Sequence, residues 1–182
     1  YRAWKHAREQ RGSVAVHCCP LYVPREPSGL RRLLHLFSFA MTSAPVALAV
    51  ALRWRPDAVL LVAPTLACSL PALMCARIGG AMSWLHIQDF EVDAAFDLGI
   101  LQIHWLRRAV LAAERWVLRR FDRVSTISQN MLARLDEKTG HETAILFPNW
   151  VDTSDIPLKA RSAELIRRLG LDEARPIALY AG

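Results

Sequence analysis

His86 is followed closely by four carboxylates, Asp89, Glu91, Asp93 and Asp97. An imidazole titrates near neutrality, so it can give or take a proton, or donate a hydrogen bond to a sugar hydroxyl or a carbonyl. A carboxylate beside it can accept from the hydroxyls of an acceptor. The structural alternative is a histidine capped by Asp89 in front of a solvated acidic loop. Asp89-Phe90-Glu91 and Glu91-Val92-Asp93 also carry the oxygen chemistry of a hard divalent ion, although such triplets are frequent by chance. Asn149 follows Pro148 and either holds a backbone turn through its amide or reaches a ligand across a cleft. Ser128 stands before a helical pattern at 129–138, the place of an N-cap, and no G-x-S-x-G elbow surrounds it. Neither a Walker A sequence nor a GxGxxG occurs in the chain, so a complete P-loop or Rossmann phosphate cradle is missing.

The elements that must position these groups alternate. A short strand is predicted at 13–18, then a proline-rich loop at 20–28. From 30 to 54 the chain is apolar on nearly all sides and reads as a helix that Pro45 should break or kink. Arg55-Pro56-Asp57 precedes an apolar strand at 58–63, and a helix at 66–78 ends at Gly79-Gly80. A strand at 81–87 delivers His86 and the acidic stretch. A charged amphipathic helix spans 103–121, strand and turn occupy 122–128, a helix 129–138, and a strand 143–147 leads to Pro148-Asn149. Strands with no polar face, alternating with helices, predict an α/β domain with a doubly wound, mostly parallel sheet. In that architecture ligands sit beyond the carboxyl ends of the strands, here Pro64-Thr65, His86 to Asp97, Ser128 and Asn149. After Asp152 the chain turns polar and basic. The domain boundaries read as 1–152 for the first domain, 153–175 for a linker with a helix, and 176–182 for the first strand of a second.

The hydrophobic share of 53% against 22% charged excludes a disordered chain, and the four cysteines, with no CxxC pair, exclude a disulfide framework. A formal charge of +6 favours an anionic partner. The arginine-rich stretch from Arg107 to Arg123 is interleaved with Trp105, Trp116 and Phe121, but Glu114 and Asp122 within it make a solvated helix face the simpler account than nucleic-acid contact. The apolar stretch 33–52 has about the twenty residues that a bilayer core requires, and 58–75 is nearly as long, so a helical hairpin through a membrane is an alternative. Pro45, Pro64 and Pro71 break both, and the second divides more naturally into a strand and a helix. Arg31, Arg32, Arg53 and Arg55 flank the first stretch and suit an anionic membrane face. A noncatalytic anion- or nucleotide-binding domain is a further alternative. Tyr1 and Gly182 both read as truncated ends.

The order of several motifs resembles the amino-terminal half of a family 4 glycosyltransferase with the GT-B fold, similar to the colanic-acid and exopolysaccharide biosynthesis enzymes. The motifs are Arg55-Pro56-Asp57, Trp84-Leu85-His86-Ile87-Gln88-Asp89-Phe90-Glu91, Phe121-Asp122-Arg123-Val124-Ser125-Thr126-Ile127-Ser128 and, above all, Phe147-Pro148-Asn149-Trp150-Val151-Asp152. The end, from Ile177 to Gly182, looks like the first strand of the carboxy-terminal domain. This resemblance implies transfer of a sugar from a nucleotide-sugar donor, GDP-fucose by the nearest likeness, to a glycan or polyprenyl-linked acceptor. It implies retention at the anomeric carbon, no cofactor, no obligatory metal and no nucleic-acid partner. It places catalytic His86 near the transferred sugar, Asp89 and Glu91 in the neighbouring acceptor loop, Asn149 at the interdomain edge of the acceptor side, and Gly182 at the start of the donor phosphate loop. The family's glycine-rich loop would precede Tyr1, and its basic residues and Glu-x7-Glu motif would follow Gly182, so the 182 residues alone are expected to be inactive.

Overall fold

The computed structural model describes residues 5–25, 29–63, 66–90, 104–139, 144–152, 154, 162–170 and 172. Glu91, Asp93, Asp97, Pro64-Thr65 and Gly182 lie outside them. The chain divides into two compact units, Tyr1–Pro148 and Asn149–Gly182.

The first unit opens with a two-stranded antiparallel hairpin, β1 (Ala7–Arg11) and β2 (Val14–Cys18), paired from Arg11 opposite Val14 to Ala7 opposite Cys18. The expected strand at 13–18 is therefore present, but it pairs with β1 and not with the main sheet. Helix α1 (Gly29–Trp54) runs through Pro45 without a break. A proline in a helix interior costs about 3 kcal/mol, and side-chain contacts hold α1 in place against that cost. Ala40 and Ala51 are buried on it, α1 packs along α2, and three side chains tie it to the preceding loop. The Ser38 hydroxyl accepts from the Tyr22 N–H at 2.8 Å, the Thr42 hydroxyl donates to the Pro20 carbonyl at 2.6 Å, and His35 Nδ1 donates to the Tyr22 carbonyl at 2.5 Å.

Arg55-Pro56-Asp57 forms the corner after α1. Arg55 takes a left-handed backbone, with φ of 49°, and its N–H reaches the Ala51 carbonyl. Strand β3 (Ala58–Ala63) follows, then a 3-10 turn (Leu66–Cys68) and helix α2 (Ser69–Gly79). The second apolar stretch is thus split between a strand and a helix, as its prolines indicated. The paired glycines ending α2 have separate tasks. Gly80 caps the helix in the left-handed region at φ 69°, and a Cβ on Gly79 would stand 3.0 Å from Pro56 Cδ and 3.1 Å from its carbonyl oxygen. Any other residue at 79 would require the Pro56 corner that launches β3 to give by a few tenths of an ångström.

Strand β4 (Met82–Ile87), helix α3 (His104–Leu118), strand β5 (Arg123–Thr126), helix α4 (Gln129–Thr139) and the short strand β6 (Ile145–Leu146) complete the alternation. The strands form one parallel sheet in the order β3-β4-β5-β6. This α/β architecture has the winding of one half of a doubly wound domain, each helix crossing to the next parallel strand. Leu85 and Ile87 of β4 point into the core with Ala72 of α2, Val117 and Leu118 of α3, and Leu135 of α4. With strand side chains alternating, the other set, Trp84 and His86, belongs to the opposite face.

The corner Phe121-Asp122 joins α3 to β5. Phe121 enters the core and does not line the arginine-rich helix face, which corrects its sequence-based placement there. The Asp122 carboxylate accepts from both the N–H and the hydroxyl of Ser83, at 2.8 and 2.7 Å, and the Ser83 hydroxyl also accepts from the Asp122 N–H at 3.1 Å. These bonds hold its carboxyl below the usual carboxylate range. At the other end of the same strand pair the Thr126 hydroxyl donates to the Ile87 carbonyl at 3.0 Å.

In the second unit, Asp152 accepts from the N–H and hydroxyl of Ser154 at 2.9 and 2.6 Å, and helix α5 (Ala163–Arg168) buries Ile166.

Candidate functional site

His86 is the penultimate residue of β4, at the carboxyl edge of the sheet, and only 5% of it is exposed. The register pairs it with Ser125 of β5, so both side chains rise from the same face. Its Nδ1 lies 2.9 Å from Ser125 Oγ, and the same oxygen accepts from the Trp84 indole N–H at 2.8 Å. Phe147, just past β6, presents itself edge-on to the imidazole at a centroid distance of 5.3 Å and lies 5.9 Å from the Trp84 ring. Burial lowers the His86 pKa below the usual histidine value, because a charged imidazole would lose its hydration there. The side chain is a neutral ring held on one side by a hydroxyl and on another by an aromatic edge. Such a group can donate or accept one hydrogen bond to a bound hydroxyl without carrying charge.

Ser125, not Asp89, meets the histidine, so the Asp89 cap of the structural alternative is replaced by a bond across the sheet. Asp89 is exposed, two residues beyond the end of β4. The chain there is fixed by its neighbour Phe90, which packs on the core. The Lys138 ammonium lies 4.7 Å from the centre of the Phe90 ring and the Arg134 guanidinium 5.5 Å from it. Lys138 in turn bonds both carboxylate oxygens of Glu114 on α3, at 2.9 and 3.0 Å, and Glu114 is 4% exposed. Two helices thereby grip the root of the acidic stretch.

The remaining sequence-predicted residues fare differently. Ser128 caps α4, its hydroxyl accepting from the Met131 N–H at 3.4 Å. Asn149 belongs to the second unit and is exposed. Glu91 and Gly182 fall outside the described residues. Among the described residues no group of three or more His, Cys, Asp or Glu side chains is placed to hold a metal ion. On the arginine-rich helix Trp105 and Trp116 are exposed, Arg120 stacks over Trp116 at 4.7 Å, and Arg119 donates to the Thr139 carbonyl at 2.9 Å. A cavity of about 340 Å3 opens near the amino end of β5, lined by Leu118, Arg119, Asp122 and Leu135 among others, away from His86.

Sequence reasoning singled out His86 but missed that Ser125, Trp84 and Phe147 surround it, and that Glu114 and Lys138 pair. Period-two alternation already places Trp84 on the His86 face. The rest depends on strand register.

The profile of the glycosyl transferase 4-like domain matches residues 1–150. The chain belongs to that family. Over its whole length it is also 40% identical to WcaI of Escherichia coli (strain K12), which bears the name of a colanic acid biosynthesis glycosyl transferase. The aligned region is 46% of WcaI, so the chain spans about half the length of this relative. No solved structure matches. Membership fixes the fold class as the GT-B-like, Rossmann-type amino-terminal domain of a family 4 glycosyltransferase, which the parallel sheet displays.

Proposed function

We propose that the protein containing this domain is a retaining glycosyltransferase that moves a sugar from a nucleotide-sugar donor to a glycan or polyprenyl-linked acceptor in exopolysaccharide biosynthesis. The observation that carries this reading is a buried, neutral His86 at the carboxyl edge of the sheet in a chain of this family. In the proposed site His86 donates to the sugar being transferred, and Asp89 and Glu91 orient acceptor hydroxyls. Asn149 serves at the interdomain edge, and Gly182 opens the donor phosphate loop. The domain division proposed is 1–152, 153–175 and 176–182, no metal takes part, and GDP-fucose is the first donor to try. The test is to supply the purified full-length protein with a panel of nucleotide sugars and a polyprenyl-linked acceptor. Release of a nucleoside diphosphate and a product whose anomeric configuration matches the donor are expected. An inverted product overturns retention, and no release from any donor overturns the activity.

Work at the cytoplasmic face of a membrane is part of the same proposal. Leu34, Phe37, Met41 and Leu52 form an exposed apolar stripe along α1, each more than half exposed, with Arg31, Arg53 and Arg55 near its ends. The segment Leu34–Trp54 is 21 residues long with a mean hydropathy of 1.6, yet only 11% of its most apolar window is buried. An apolar face bordered by cations suits the interface of an anionic bilayer. Full-length protein is expected to float with vesicles containing anionic lipid, to be released by alkaline carbonate, and to lose most of that binding when Phe37 and Met41 are both replaced by Asp. Resistance to carbonate would mean a spanning helix, and failure to float would end the membrane reading.

A further inference from the structure

The hydrogen bonds around Ser125 determine where the proton of His86 resides. An indole N–H only donates, so Ser125 Oγ accepts from Trp84. Ser125 is completely buried, and its other side-chain bond is to His86 Nδ1 at 2.9 Å. A serine hydroxyl owns one proton. If Nδ1 carried the imidazole proton, Oγ would accept twice and its own proton would be left buried with no acceptor among these partners, an arrangement that folded proteins avoid. The consistent assignment sends the Ser125 proton to Nδ1. The ring proton then sits on Nε2, at the far side of the imidazole from Ser125.

We propose that Ser125 is a positioning residue that holds His86 as the neutral Nε2–H tautomer, with the Trp84 indole fixing the direction in which Ser125 donates. This rests on the reading of His86 as the residue that meets the transferred sugar, and it adds what kind of contact that is. Nε2 offers a hydrogen to an oxygen of the bound substrate and has no free lone pair with which to take a proton, so the histidine acts as a hydrogen-bond donor and not as a base. The edge of Phe147 supports the ring in that orientation. Burial, which disfavours the imidazolium, works in the same direction.

The test uses full-length protein labelled with 15N at histidine, the His86 ring signals being assigned by their loss in His86→Ala. Nδ1 is expected at the shift of an unprotonated nitrogen and Nε2 at that of a protonated one. In Ser125→Ala the two signals move toward a mixed population, and kcat falls about tenfold with KM little changed. Trp84→Phe, which keeps the aromatic packing but removes the N–H, gives a smaller shift in the same direction and guards against misfolding of the serine variant. A protonated Nδ1 in the wild type overturns the proposal whatever the activity. So does a change of tautomer in Ser125→Ala with kcat unaltered while His86→Ala is impaired. If His86→Ala itself keeps full kcat, it is the role of His86 in transfer that fails, and the tautomer signals still decide the assignment.

Discussion

If the proposed transfer reaction holds, His86→Ala in the full-length protein is expected to lower kcat by about 10²–10³-fold, the loss typical of removing one donor aimed at charge that develops in a transition state. The donor's Kd should move far less, because the proposed role gives His86 a contact to the transferred sugar and none to the nucleotide. His86→Gln should recover part of the loss, since its amide N–H can stand near the place of Nε2–H. Thermal unfolding of each variant separates this effect from damage to the fold, for the side chain fills a buried place between Ser125 and Phe147. Burial lowers the His86 pKa, so the ring stays neutral to lower pH than an ordinary histidine. Any inflection it gives in the wild-type pH profile of kcat/KM is therefore expected below the ordinary value near pH 6.5. Wild-type kcat in His86→Ala would remove the residue from the reaction.

The second large effect concerns stability. Lys138→Met should destabilise the protein by about 3–5 kcal/mol, the cost of breaking a buried ion pair by removing one partner. Glu114 is 4% exposed and Lys138's side chain 15%, so water cannot replace the lost ammonium at the carboxylate. The same change takes a cation from the face of Phe90. Against a total stability of about 5–15 kcal/mol for a domain, this is a large fraction. Denaturant unfolding of wild type and variant measures it directly. Replacing both partners, Glu114→Leu with Lys138→Met, should recover much of the loss, because the two opposite charges are removed together. A cost under 1 kcal/mol for Lys138→Met would put the pair in the class of solvent-screened surface bridges.

These two cases also show which parts of the molecule could be read without coordinates. The apolar runs at β3 and β4, bounded by Pro56 and Gly79-Gly80, mark themselves as strands, although the burial expected on both faces fails at β3, which ends the sheet order and leaves Leu60 and Val62 exposed, and Ser128 marks the start of α4 by its position alone. His86 stands out because it follows such a strand immediately. By contrast, β1 has the sequence Ala-Arg-Glu-Gln-Arg, which offers no apolar face, since all five residues are exposed in the hairpin. At Pro45 the sequence exposes only the local cost, whereas the contacts of α1 with α2 and with the Pro20–Tyr22 loop are tertiary. Phe121 falls within the arginine-rich helical pattern of the sequence, but α3 stops at Leu118 and the corner turns the ring inward. Partners 39 residues apart, such as His86 and Ser125, or 24 apart, such as Glu114 and Lys138, meet only once strand register and helix placement are set.

Register has one more meaning for this domain. Because β4 alternates, sliding it one position along β5 would turn His86 toward the helices and bring Leu85 out in its place. The Asp122 carboxylate, gripping both the amide and the hydroxyl of Ser83, can form its bonds in one alignment only. That pair lies at the end of the strands away from His86, touches no substrate in the proposed reaction, and nevertheless acts as the dowel that decides which side chain faces the proposed site.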